Sequence, residues 1–305
     1  MMKNIFSLLV VLTIFTCVSG QSVSYLGYSP DARSMALGGS GVATSADAYS
    51  FFNNTSATVL SDSKGAISAL YTMWMPNSSD LTMIGASGFF KLGSKFGLSF
   101  AGRQIGYSEI PTFDDNGINT GVIKPSDIVA GLGLAYKITG NLSASANVNL
   151  VSSKIDDNAK ATAFSGDLGF TYSQDKFNIG FKVANLGSKL DYGNGPYSLP
   201  AHLNAGFAYK ATINEKNKLT ALLNAGYLFS SSGLMAGVGL EYTYNKLLNV
   251  RVGGHYGDSS KSIPSYASAG LGVCLKGVTI DATYILSSSE SPINNTLSFG
   301  LGYRF

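Results

Sequence analysis

The sequence predicts an all-β fold: a transmembrane antiparallel β-barrel of about fourteen strands, of the bacterial outer-membrane type, with an amino-terminal plug segment. Three observations carry this. From Gly65 onward the chain repeats a block of about ten residues in which apolar and polar side chains alternate, the period of a strand with one apolar face. The breaks between blocks alternate between turns of two or three residues and longer connections. Outer-membrane barrels show that alternation, and a soluble sandwich has no reason to. Charged residues make up only 13%, against 36 Gly, 17 Tyr and 17 Phe, a composition that suits a partly lipid-facing sheet better than a helical enzyme.

Residues 1–20 read as a secretory signal peptide. Lys3 supplies the positive start, Ile5 to Phe15 the apolar stretch, and Val18-Ser19-Gly20 the small residues of a cleavage site. Cys17 invites a lipoprotein reading, but Phe15 and Thr16 stand where small residues are wanted. The mature chain then begins at Gln21 and keeps Cys274 alone, which excludes an internal disulfide. Past the signal there is no run of eighteen apolar residues. A secreted chain this apolar, without a helix to span lipid, has the closed barrel left as its membrane solution.

Residues 21–64 lack sustained alternation and are rich in Gly, Ser, Ala and Asp. Met35, Leu37, Val42, Phe51, Phe52, Val59 and Leu60 are their apolar anchors. Fourteen strands enclose a lumen that wall side chains alone do not fill, so residues 22–60 are expected to fold back into it. Gly38-Gly39-Ser40-Gly41 is no phosphate loop, because no strand precedes it and no Lys closes it. Its expected role is adaptable backbone inside the barrel.

The barrel itself is expected over 65–305, with strands at 65–75, 80–91, 95–105, 127–138, 141–152, 161–173, 176–186, 201–210, 217–229, 234–244, 247–256, 266–275, 277–286 and 296–305. Ten tilted residues cross the hydrocarbon layer. An even count puts both barrel ends on the periplasmic side, with short periplasmic turns and longer external loops. Two connections, Pro76 to Ser79 and Ser230 to Gly233, are short where external loops are expected. In the last strand Phe299, Leu301, Tyr303 and Phe305 share the apolar face and form the expected signal for the barrel-assembly machinery. Tyr136, Tyr172, Tyr209, Tyr244 and Tyr284 fall near strand ends, as an interfacial girdle requires.

The opposite face carries Arg103, Asp167, Lys182, Glu241, Arg251, His255, Asp281 and Arg304. These are the candidate members of a polar lumen network, because charges inside a barrel must pair or stay solvated. Cys274 also falls inward in this register, and so does His202. Neither His202 nor His255 has a nucleophile elbow or a metal-ligand cluster beside it, so no enzyme and no cofactor is expected. Net charge is +3 without a basic run, which gives no argument for nucleic acid. The connection 106–126 sets Ile110, Phe113, Ile118 and Val122 among Asp114, Asp115 and Asn116. An apolar external loop of this kind is a candidate partner or ligand surface.

Ser29-Pro30-Asp31-Ala32-Arg33-Ser34, then Leu37-Gly38-Gly39-Ser40-Gly41-Val42-Ala43-Thr44-Ser45, then Asp47-Ala48 and Asn54, resembles the amino-terminal signature of the PorV/PorQ family. The likeness continues through Leu70-Tyr71-Thr72-Met73-Trp74-Met75, Tyr107-Ser108-Glu109-Ile110 and Leu199-Pro200-Ala201-His202-Leu203. Where the family usually has Asn-Pro-Ala, this chain has Asn54-Thr55-Ser56. The resemblance implies a barrel like the long-chain fatty acid transporter, with fourteen strands and an amino-terminal plug. It makes Asp31, Arg33, Gly38, Gly39, Gly41, Asp47 and Asn54 the candidate plug residues. It also implies an accessory role in type IX secretion in Bacteroidota, in which such a barrel binds the carboxy-terminal signal domain of cargo and passes it from the translocon to the attachment machinery. The partners are then outer-membrane lipid, other outer-membrane proteins (a secretion translocon, its cargo or an assembly complex) and the barrel-assembly machinery during biogenesis, with no nucleic acid. A transporter of small hydrophobic molecules is the alternative. A general porin needs an open channel, which the expected plug argues against.

Overall fold

A computed structural model describes residues 23–74 and 81–305. The expected signal peptide and the connection 76–79 lie outside the described residues, as do Met75 and Asp80 at the ends of two expected strands. The strands are β1 (Gly65–Trp74), β2 (Leu81–Leu92), β3 (Phe96–Gly106), β4 (Ile110–Phe113), β5 (Asn119–Ile123), β6 (Ser126–Lys137), β7 (Leu142–Lys154), β8 (Lys160–Ser173) and β9 (Phe177–Gly187). They continue as β10 (Leu190–Asp191), β11 (Pro196–Tyr197), β12 (His202–Thr212), β13 (Asn217–Leu228), β14 (Gly233–Tyr244), β15 (Leu248–Gly257), β16 (Tyr266–Leu275), β17 (Val278–Leu286) and β18 (Leu297–Arg304).

Fourteen of these close into one antiparallel barrel in the order β1-β18-β17-β16-β15-β14-β13-β12-β9-β8-β7-β6-β3-β2. Every neighbour along the wall except the closing pair is also a neighbour in sequence once the loop strands are set aside, so the chain runs up and down without crossovers. β4 pairs with β5, and β10 with β11, as separate two-stranded ribbons within the connections 106–126 and 187–200. The barrel closes where Ala66 to Met73 of β1 pair with Arg304 to Leu297 of β18. The Lys64 N–H then donates to the Phe305 carbonyl at 2.9 Å.

The wall obeys the period of two. β14 shows it without interruption: buried and exposed residues alternate from Gly233 to Glu241. The outward face is apolar along the middle of the strands, with Val148 67% and Phe164 68% exposed to whatever surrounds the barrel. Large side chains so open, repeated around a closed sheet, belong in hydrocarbon. Rings gather at the strand ends joined by short turns, as where Phe96 meets Tyr136 at 5.1 Å and Phe90 meets Phe305 at 5.7 Å. Such a girdle marks the interface where ring and headgroup meet.

One break in the ladder stands out. Between β8 and β9 the register shifts from Gly166 to Leu168, and Asn185 takes a positive φ of 59°. The bulge frees Asp167 to accept the Asn185 N–H at 2.9 Å. A bulge re-aims side chains in this way at the cost of one ladder position.

The apolar core sits inside the barrel. Tyr25, Leu26, Met35 and Tyr49 of the amino-terminal segment pack with inward wall residues such as Leu70 and Met83. Leu190, Leu199 and Ile293 of the long connections are buried in the same cluster, so the loop end of the lumen is roofed by folded loops.

Candidate functional site: the lumen and its two mouths

The amino-terminal segment forms short helical turns rather than strands. Helices span Ala32–Ala36 and Ser50–Asn53, and 3-10 turns span Ser24–Gly27 and Thr55–Leu60. Asp31 caps the first helix by accepting the Ser34 N–H at 2.8 Å. Its other oxygen accepts from Ser29 (2.7 Å) and from Asn53 Nδ2 (2.9 Å). Burial, with Asp47 nearby, pushes the Asp31 carboxyl up against the opposing pull of these donors. Asn54 caps the Thr55–Leu60 turn, its Oδ1 accepting from the Ser56 hydroxyl at 2.7 Å. Thr55 therefore stands at the first position of a helical turn, where a Pro is also accommodated because no N–H is needed there. The departure from Asn-Pro-Ala leaves the local backbone role unchanged.

Gly38 ends the first helix with φ 65°, a region that Gly enters without strain. It also lies flat against the wall: a Cβ there would meet the Gly254 and Val238 carbonyl oxygens. The wall answers with glycines of its own. A Cβ at Gly270 would stand 2.6 Å from the Ala36 Cβ, and one at Gly253 would stand 2.8 Å from the Ala36 carbonyl. At Gly38 and Gly253 backbone thus packs on backbone, and at Gly270 only the Ala36 methyl comes between.

Polar wall residues hold the segment by its carbonyls. Asn178 Nδ2 donates to Ala43 O at 3.1 Å, Lys182 Nζ to Phe52 O at 2.8 Å, and Thr283 Oγ1 to Ala32 O at 2.5 Å. Asn54 Nδ2 in turn donates to Phe170 O of β8 at 3.0 Å. These contacts discharge the requirement that buried backbone oxygens find donors.

The ionic part is one chain of bridges. Arg33 grips Glu241 through two bonds of 3.0 and 2.9 Å and Asp47 through a third of 2.8 Å. Glu241 also binds Arg251 at 2.7 Å, and Arg251 binds Asp281 at 2.5 Å. Bidentate guanidinium–carboxylate geometry is the strong form of such a pair. Lys182 and Asp167 form a separate pair at 3.3 Å.

The eight lumen candidates therefore divide. Glu241, Arg251 and Asp281 meet in one network, and Lys182 meets Asp167. Arg103 finds no carboxylate among the described residues; its guanidinium lies over Tyr25 (5.2 Å) and Phe52 (5.6 Å). His255 is not an ionic partner either: its Nδ1 lies 3.2 Å from Gly38 O and its ring stacks on Tyr266 at 4.8 Å. Arg304 stands apart at the turn end. Arg33 and Asp47, grouped by sequence with the segment, turn out to be the link between segment and wall.

The lumen has space at both ends. At the loop end a cavity of about 450 Å³ is lined by Tyr107, Tyr192, Tyr197, Val23, Asp127 and Ile155 among others. Tyr107 donates to Asp127 at 2.6 Å and Tyr192 to Ser153 at 2.7 Å, which fixes two of the rings. Beside it stands the β4–β5 ribbon. Ile110, Phe113, Ile118 and Val122 all lie on this ribbon, with Phe113 60% and Ile118 63% exposed. At the turn end a cavity of about 620 Å³ opens below Arg33, Asp47 and Glu241. Phe299, Leu301, Tyr303 and Phe305 line the outward face of the last strand and its end.

Residues 16–234 match the family model described as type IX secretion system protein PorV. No curated protein matches the chain. Solved barrels are similar in fold. The P. putida toluene transporter TodX is 15% identical with a TM-score of 0.65, covering 90% of this chain and 98% of its own. A monoaromatic hydrocarbon channel, CymD, is 13% identical with a TM-score of 0.63 over 92% of this chain and 98% of its own. A Pseudomonas aeruginosa FadL homologue is 13% identical with a TM-score of 0.55 over 94% and 98%.

Proposed function

This chain belongs to the PorV family of type IX secretion system proteins, and from that premise we propose that it is a non-enzymatic docking subunit. It is an outer-membrane β-barrel. Its work, on this reading, is to present an external surface to other outer-membrane proteins of a secretion or assembly complex, with the amino-terminal segment acting as a plug that keeps the lumen from serving as a pore.

The observation that carries the reading is the β4–β5 ribbon. Phe113 and Ile118 stand on the ribbon of the long connection 106–126, apart from the barrel wall, at 60% and 63% exposure, and long connections are the external loops of such barrels. Side chains of that size, rimmed by Asp114 and Asp115, fit the apolar centre and polar border of a protein interface. The test is co-purification from gently solubilised outer membranes. F113D/I118D abolishes recovery of partners while the barrel keeps its heat-modifiable migration in gels. Undiminished recovery from a folded variant rules the ribbon out as the dock.

The loop-end cavity supports a second reading, transport of small hydrophobic molecules, because aromatic walls around about 450 Å³ suit a ligand of that kind. TodX and CymD, the similar barrels, are described as a toluene transporter and a monoaromatic hydrocarbon channel. Under this reading, deletion of residues 30–45 changes uptake of a lipophilic dye by whole cells, and unchanged uptake removes its support.

A further inference from the structure

We propose that the turn-end mouth of the lumen is a second binding site, for an acidic polypeptide segment of a periplasmic partner. Lys210, Lys218, Lys246 and Arg304 all line the cavity of about 620 Å³ there. Lys210, Lys218 and Arg304 occupy inward register positions, opposite Thr220, Thr212 and Ala66 respectively. None of the four makes an ion pair among the described residues; Lys210 donates to the Asn178 amide oxygen at 3.0 Å. Asp175 is the one carboxylate at the rim of this cavity. The carboxylates deeper in, Asp47, Glu241 and Asp281, are held by Arg33 and Arg251.

Lys210 and Lys218 stand on paired strands two positions apart in register, on one face. Like charges set so close oppose each other unless an anion comes between them. The surrounding turns and strand ends add Lys95, Lys137, Lys176, Lys216 and Lys276, against Asp62, Asp175 and Glu215. The loop end has the opposite balance, carrying Glu109, Asp114, Asp115, Asp156, Asp157, Asp191, Asp258 and Glu290 against Lys124, Lys154, Lys160, Lys189 and Lys261. An acidic ligand is therefore steered to one mouth and repelled from the other.

The class of ligand follows from direction and spread. Lys210, Lys218 and Arg304 face the lumen, behind a closed wall, so the headgroups of the surrounding leaflet do not reach them, and Lys246 joins them from the β14–β15 turn at the rim of the cavity. They are distributed from β12 to β18, six strand intervals along the wall, an arc of about 29 Å at about 4.8 Å per interval. A single phosphate does not bridge that arc. An extended chain does so in about nine residues at roughly 3.3 Å each. Binding here is separate from external docking, and both can hold at once.

Cys274, the free thiol, lines the same cavity and reports on its occupancy. The experiment uses the mature protein in lipid nanodiscs, a fluorescein-labelled peptide of twelve glutamates, and alkylation of Cys274. The peptide is expected to bind in a salt-sensitive manner and to slow alkylation at least fivefold. The variant K210Q/K218Q/K246Q/R304Q is expected to lose at least tenfold in affinity, whereas K95Q/K276Q, on turns outside the cavity, stays within twofold. Heat-modifiable migration verifies that both variants are folded. A peptide that binds without protecting Cys274 overturns the proposal, as does equal protection by inorganic phosphate. So does a loss that appears only with phosphatidylglycerol discs, which assigns the collar to lipid. Because the isolated protein is used, either result leaves external docking standing or falling on its own test.

Discussion

The barrel wall and the amino-terminal segment inside it are held by opposite kinds of order. The wall is repetition: each strand is bonded to two neighbours, one face meets lipid, and any residue of the right polarity serves at most positions. The segment has no repeat. It is fixed by single contacts to residues far away in sequence, such as Arg33 to Glu241 across 208 positions. A structure built by repetition tolerates loss at any one point. A structure built from unique contacts is brittle at each of them.

That contrast can be broken most sharply at Gly253. Valine there puts a side chain where the Leu37 carbonyl carbon and the Ala36 carbonyl now lie. Overpacking in a core commonly costs about 1–3 kcal/mol, and here the new side chain meets backbone, which cannot swing aside. The expected outcome of G253V is a barrel that still folds but a segment displaced from it, seen as rapid proteolysis within residues 23–64. The outward neighbour variant V252A is expected to leave that cleavage unchanged. Second in size is R251M, which leaves Asp281 without its cation and Glu241 with only Arg33. Removing one member of a buried ionic group costs about 3–5 kcal/mol, read as a lower urea midpoint in detergent, with faster proteolysis of the segment. The smallest effect is expected for R103M. Its guanidinium lies over rings and not against carboxylates, so the loss is about 1 kcal/mol, and the urea midpoint moves far less than with R251M. If R103M and R251M cost the same, the difference between paired and unpaired lumen cations is void.

The same contrast decides what could be read from sequence. Periodicity placed all fourteen wall strands within two residues of their ends wherever both are described, as at β8, expected at 161–173 and observed at Lys160–Ser173. It also told which side Glu241 and Lys182 face. A period of two reports the side and not the depth or the partner. Period alone therefore groups Arg304 and Arg103 with Arg251, although one lies at a mouth and the other over two rings. The β4–β5 ribbon carried a local signal that the reading of 106–126 as a simple connection passed over. Asn116-Gly117 stands between the two strands, and Gly117 has φ 78°, the turn chemistry of a hairpin. The segment's helical turns had no such signal, since at five, four, four and six residues they are too short for an amphipathic period.

The seam between β1 and β18 has a further consequence, for the order of events in assembly. The segment runs directly into β1, and β1 is the strand on which β18 closes through eight cross-strand pairs. Until that seam zips, the sheet is an open trough and the segment can settle onto its floor sideways. Once it zips, the same residues must enter through an end, past the bonds that Lys64 and Gly65 make to Phe305 at one mouth or beneath the loop roof at the other. The strand made last is thus the lid of a box already filled. Any delay in seating the segment appears as a delay in closing the wall.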